Sequence, residues 1–151
     1  MAENIDRYNP LGFYNLAEDF YRAAAVCQAA VENRRIRLRY DFVLYHLHTH
    51  SIELALKAFL RAHGLSVAEL KKLSHGLVAI YERCVSLRMR VKKPKRTAQV
   101  AQWLDELSRT QTFRYFEMGT LTLPTLAEVQ SANERILSSV QAKCAKAGKI
   151  C

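Results

Sequence analysis

From residue 13 onward, apolar side chains return at every third or fourth position. Phe13, Leu16, Phe20, Ala23, Cys27 and Val31 form one such series, the signature of a helix with a single buried face. Asn9-Pro10 precedes it, with Asn suited to cap the helix and Pro to occupy its first turn. Glu18, Asp19, Arg22 and Glu32 fall mostly off the stripe. Arg34, Arg35, Arg37 and Arg39 then cluster around a break near residue 36. A second helix is expected from about Leu38 to His63, carried by Val43, Leu44, Leu47, Leu54, Ala55, Ala58 and Phe59, with Gly64 as its stop. Its apolar stripe is wide, which predicts the most buried helix of the chain.

Ser66-Val67-Ala68-Glu69 reads as a capping box before a short helix ending near Leu73. Ser74 is expected to cap the next helix, on which Leu77, Ile80, Tyr81, Cys84 and Leu87 share a face. The run Arg88-Met89-Arg90-Val91-Lys92-Lys93-Pro94-Lys95-Arg96 reads as a basic loop containing Pro94, and Thr97 as the start of a helix with Val100, Trp103, Leu104 and Leu107 inward. Thr110 to Pro124 lacks a period. Thr125-Leu126-Ala127-Glu128 is a second capping box, opening a helix with Val129, Ala132, Ile136, Val140 and Cys144 inward and Gly148 at its end. No repeat and no linker divides the chain. The expectation is one all-α domain over residues 1–151, with a core from about 10 to 147. Its form is an up-and-down antiparallel bundle of four long helices and a short one.

Composition sharpens this picture. The 151 residues include only 5 Gly and 3 Pro, which favours helices over a strand-and-turn fold. The N-terminus is polar and acidic, unlike a secretory signal, and no apolar run approaches the ~18 residues of a membrane span. A cytoplasmic location is expected. Cys27, Cys84, Cys144 and Cys151 are widely spaced without a CxxC pair, which argues against thiolate zinc and a disulfide framework. The first three sit on apolar stripes, where cysteine acts as a small hydrophobe. A net charge of +9 points to an anionic partner: RNA or another nucleic acid, a nucleotide, or an acidic protein. No Gly-rich phosphate loop, nucleophile elbow or metalloprotease helix is present, and no cofactor is expected.

The block Ser51-Ile52-Glu53-Leu54-Ala55-Leu56-Lys57-Ala58-Phe59-Leu60 ends at Gly64. Glu69-Leu70-Lys71-Lys72 and Ser74-His75-Gly76-Leu77 follow it. Together with Asn15-Leu16-Ala17-Glu18 and Arg114-Tyr115, this pattern resembles HEPN domains from about Tyr14 to Val140. The resemblance implies a helical bundle, often a homodimer. It also implies a place among metal-independent ribonucleases of toxin–antitoxin and defence systems, RNA- or nucleotide-binding modules, or non-catalytic scaffolds. The family's ribonuclease motif is an Arg, four to six intervening residues, and then a His on a late helix. Here no histidine follows His75, so Arg109 and Arg114 lack that partner. The departure favours a non-catalytic module.

Four constellations carry chemistry. Arg39 and His46 are seven positions apart, two turns of a continuous helix, and form the candidate catalytic pair: a phosphate-binding guanidinium and an acid or base near neutral pH. The bland alternative is two unrelated residues at a helix start. His46, His50 and Glu53 share a helical face and form a weak candidate metal set. Glu53, Lys57 and His75 are read as a structural polar cluster, with Glu53–Lys57 an i,i+4 pair and His75 reaching Glu53 from the next helix start. Arg88, Arg90, Lys92, Lys93, Lys95 and Arg96 form the candidate phosphate-binding surface, against the alternative of a solvated basic loop.

Overall fold

The computed structural model describes residues 9–109 and 124–148. Among these residues it is entirely helical: α1 (Pro10–Glu32), α2 (Phe42–Ala62), α3 (Val67–Leu73), α4 (Leu77–Ser86), α5 (Pro94–Arg109) and α6 (Leu126–Gly148). The four long helices are α1, α2, α5 and α6. The two shorter ones, α3 and α4, fall where a short helix and the helix after it are expected, so the described residues hold six helices rather than four long ones and a short one. The Arg114-Tyr115 part of the family-like pattern lies outside the described residues. No helix among them is long and apolar enough to cross a membrane.

The helix starts follow the caps in the sequence. Asn9 accepts from the Leu11 amide at 2.9 Å with Pro10 at the first position. The Ser66–Glu69 box closes in both directions, and those hydrogen bonds hold the Glu69 carboxyl below its ordinary range. Thr125 and Glu128 close the same way at the head of α6. Ser74 departs from expectation. It is the C-cap of α3, with φ 51°, and α4 begins after Gly76 without a side-chain cap. The start of α2 also moves, from Leu38 to Phe42, because α1 ends in a turn that the chain must first unwind.

That turn recurs. After α1 the amide of Arg34 bonds to Val31 O and that of Arg35 to Ala30 O. After α4, Arg88 N bonds to Val85 O and Met89 N to Cys84 O; after α2, Gly64 N bonds to Arg61 O and Leu65 N to Leu60 O. Each is a Schellman ending, in which the residue past the cap takes left-handed backbone angles. Gly64 adopts φ 89° without steric cost, whereas Arg34 (57°) and Arg88 (66°) adopt it with a Cβ.

The core is centred on α2, whose Leu44, Ile52, Leu56 and Leu60 are fully buried. Ile80, Val100, Leu104, Val129, Ile136 and Val140 close around them from α4, α5 and α6. Polar pairs set the directions. Phe20 meets His50 and Tyr21 meets His48, while Ser51 bonds to Ala17, so α1 and α2 run antiparallel. Tyr21 reaches Glu134, and Leu11 abuts Gly148, so α1 and α6 also run antiparallel. Consequently α2 and α6 point the same way, as alternate helices of an up-and-down bundle do.

Where α1, α2 and α6 meet, the core is polar. Ser51 Oγ donates to Ala17 O at 2.6 Å. The Asn133 amide bridges Ser51 Oγ (3.2 Å) and His48 Nδ1 (3.1 Å). All three side chains are fully buried, and His48 Nε2 has no hydrogen-bond partner among the described residues. Burial pushes the His48 pKa down to about 4, against a weaker opposing pull from Glu134. The unfolded imidazole titrates near 6.5. Above that pH both states are neutral. Between 6.5 and 4 only the unfolded chain takes up the proton, so stability falls as the solution is acidified. Denaturant titrations at pH 7 and pH 5 should show the wild type losing about 1–2 kcal/mol more than His48→Gln across that interval. Equal losses would contradict the assignment.

Candidate nucleic-acid interface

Glu53, Lys57 and His75 are brought together. Lys57 Nζ donates to Glu53 Oε1 at 2.7 Å, and His75 Nδ1 donates to the same oxygen at 2.8 Å. The Glu53 and Lys57 side chains are 10% and 14% exposed, that of His75 71%. The carboxylate therefore neutralises an ammonium within the bundle, and the imidazole caps the pair from solvent. This arrangement ties the chain entering α4 to the middle of α2.

Arg39 and His46 are not set on one helix. Arg39 lies in the bend before α2, whose first residue is Phe42, so the two-turn alignment does not apply. His46 instead stacks parallel to His50 with ring centroids 6.3 Å apart, and Phe20 packs edge-on against His50. Burial lowers the His50 pKa, with Glu53 pulling the other way. Because Glu53 is engaged by Lys57 and His75, His46, His50 and Glu53 do not form a cation cage. Among the described residues no group of three His, Cys, Asp or Glu side chains could hold a metal ion.

The Arg88–Arg96 run divides into two parts. Residues 88–93 connect α4 to α5, while Pro94, Lys95 and Arg96 form the first turn of α5. Proline suits that position because its missing N–H would have no partner in a first turn anyway. The connection alternates: Arg88, Arg90 and Lys92 are exposed, whereas Met89 is buried and Val91 packs on the core. A period of two in an extended segment turns alternate side chains to opposite faces. Buried Thr97 fastens the far end, its Oγ1 bonding to Lys92 O (3.1 Å) and Lys93 O (3.0 Å) and accepting from Arg135 Nε at 2.9 Å. The basic side chains are thus held outward on an anchored backbone.

The first basic segment, between α1 and α2, was legible only as a cluster of arginines at a break. Arg34, Arg35, Arg37 and Arg39 are all exposed. Beside them Tyr40 is 55% exposed and stacks on Phe42 at 6.3 Å and 24°. Arg37, Leu38, Arg39 and Tyr40 line an open cavity of about 680 Å³.

Two long-range contacts relate the segments. Tyr45, in the first turn of α2, donates to Pro124 O at 2.6 Å. Arg96 pairs with Glu128 in the first turn of α6. The first turn of α6 therefore lies beside the first turn of α2, which follows Arg37 and Arg39, and beside the first turn of α5, which holds Lys95 and Arg96; Lys93, Arg96 and Arg135 line a further cleft there. A larger cavity, about 820 Å³ between α4 and α5, is floored by Val78, Tyr81 and Ala101 and carries Glu82, Asp105 and Glu106. Lys95 and Arg109 line it too, and Arg109 pairs with Asp105 at 3.2 Å.

Comparison with models of protein families, with curated proteins and with solved structures finds no match for this chain.

The Glu53 cluster yields a ranking. Glu53→Gln leaves Lys57 buried without its counter-charge and should cost about 3 kcal/mol. His75→Ala removes only the exposed member and should cost under about 1 kcal/mol. Thermal melts of both variants check this, and an unchanged melt for Glu53→Gln would rule out the structural role.

Proposed function

We propose that this chain is a non-catalytic HEPN-like module that binds RNA through the cationic end of its bundle. The observation that carries the reading is that the head of α6 touches both the start of α2, just after Arg37 and Arg39, and the first turn of α5, which holds Lys95 and Arg96, through Tyr45–Pro124 and Arg96–Glu128. Cations that are distant in sequence thereby contribute to one end of the molecule. Arg and Lys neutralise phosphates and release condensed counterions, which supplies most sequence-independent affinity for nucleic acid.

Local conformational costs at this end support the reading. Arg34 and Arg88 occupy left-handed positions that glycine would fill more easily. Lys95 and Arg96 sit in the first turn of α5, which contains no acidic residue, at the end of the helix dipole that disfavours cations. Each choice gives up a little stability and keeps an exposed positive charge.

The reading is non-catalytic because Arg39 precedes α2 rather than sharing a helical face with His46, and because no histidine follows His75. A divergent metal-independent endoribonuclease using Arg39 and His46 is the competing reading. RNA incubated with the protein in EDTA should stay intact. Cleavage that disappears in His46→Ala would replace the binding module with that enzyme.

Affinity for RNA should drop on the order of 100-fold between about 50 and 200 mM salt, as a handful of phosphate contacts requires. Arg34→Gly and Arg88→Gly should each weaken binding severalfold while raising stability by up to about 1 kcal/mol. Fluorescence anisotropy and denaturant titration read the two quantities separately. Variants that bind as the wild type does would remove these arginines from the surface.

A further inference from the structure

We infer that the segment between α1 and α2 is a single-strand reader, in which Tyr40 stacks an unpaired nucleobase while Arg37 and Arg39 hold the adjoining phosphates. This inference rests on the reading of the cationic end as a nucleic-acid surface and adds the class of nucleic acid it takes.

Three features of the segment converge on that chemistry. The first is composition: Arg37, Arg39 and Tyr40 occur within four consecutive positions. Alternation of cations with an aromatic suits a strand that presents phosphates and bare base faces by turns. The second is exposure. Tyr40 leaves 55% of its surface in solvent although it is a large hydrophobic residue. Its ring is already oriented by its stack on Phe42, at an interplanar angle of 24°. A ring held by another ring loses little side-chain freedom when a base settles on it. The third is space. Arg37, Leu38, Arg39 and Tyr40 line an open surface recess, so a base reaches the ring directly from solvent.

The α4–α5 connection has a different character. Its exposed side chains are Arg88, Arg90, Lys92 and Lys93, and its apolar members Met89 and Val91 turn inward. Trp103 and Tyr81, the aromatics nearest to it in sequence, pack into the core. It therefore offers charge without a stacking face. The two segments divide the work: residues 88–96 attract any polyanion, and residues 37–40 select a strand whose bases are not already stacked. In a duplex the base faces are occupied by their neighbours, and the deep, narrow major groove of A-form RNA does not admit side chains.

The test uses the full chain and four labelled probes: a 12-nucleotide RNA, the DNA of the same sequence, the RNA's blunt duplex, and a poly-glutamate peptide of similar charge. Anisotropy should show the single strands bound about tenfold more tightly than the duplex. Tyr40→Ala should lose about tenfold on the single strands, in line with base–aromatic stacking, and leave duplex affinity unchanged. The unchanged duplex value doubles as a check that the variant is folded. Tyr40→Phe, which retains the ring, should bind as the wild type does. Equal affinity for RNA and DNA single strands means that the base and phosphate are read; a preference for RNA means that the ribose hydroxyl is also contacted. Both outcomes support the reader.

Salt-sensitive binding that ignores strandedness and survives Tyr40→Ala overturns the reader but leaves the cationic surface intact as an RNA-binding face. Failure to bind any of the nucleic acids overturns both. Poly-glutamate bound as tightly as RNA overturns both in favour of an acidic protein partner.

Discussion

The bundle depends on one buried polar junction. Ser51, Asn133 and His48 are fully enclosed and belong to two helices, and Ser51 reaches the backbone of a third at Ala17. A polar group in such surroundings costs on the order of 1–3 kcal/mol when its partner is lost. Sliding α6 by a single residue along α2 would take Asn133 off both neighbours. The apolar contacts around it would have to repack as well, since a close-packed core feels even small changes of shape. The junction thus sets the register between α2 and α6, and that register delivers Pro124 to Tyr45.

Much of the fold was legible along the chain. The periods of three and four marked every helix, and Asn9, Ser66 and Thr125 announced three helix starts because a side chain two or three residues from its amide leaves a local signature. The endings were harder. Arg34 and Arg88 conceal Schellman turns that a glycine would have advertised, and Ser74, which has the composition of an N-cap, closes the helix before it. Pro94 was assigned to a loop although its geometry equally favours a first helical turn. The cluster of Glu53, Lys57 and His75 was accessible because two members are neighbours on one helix and the third begins the next. His48 and Asn133, 85 positions apart, left no trace, since neither residue type nor spacing reveals which helices will touch. The same limit hid the contacts that Tyr45 and Arg96 make at the head of α6.

Charge and conformation pull in opposite directions at the cationic end. Left-handed arginines and cations in the first turn of α5 are each small local mismatches, and Glu128 offsets only the one at Arg96. Elsewhere local preferences agree with the fold: Gly64 fills the left-handed position after α2, and Glu69 lies in the first turn of α3. Sequences that fold reliably keep local and global preferences consistent, with exceptions concentrated where function intervenes. The exceptions here sit in the connections before α2 and before α5 and in the first turn of α5.

The thiols lead somewhere else. Cys84 is fully buried, with its sulfur donating to Leu56 O at 3.4 Å, and Cys144 is equally enclosed. Burial pushes the Cys84 thiol well above its usual range and that of Cys144 to about 12. Only a thiolate reacts readily with oxidants or alkylating agents. The folded core is therefore chemically silent, and either sulfur becomes reactive when its helix leaves the bundle. Cys144, near the end of α6, is close enough to Cys84 to help raise its pKa, so the rate at which either sulfur is modified times how often this shared part of the core comes open.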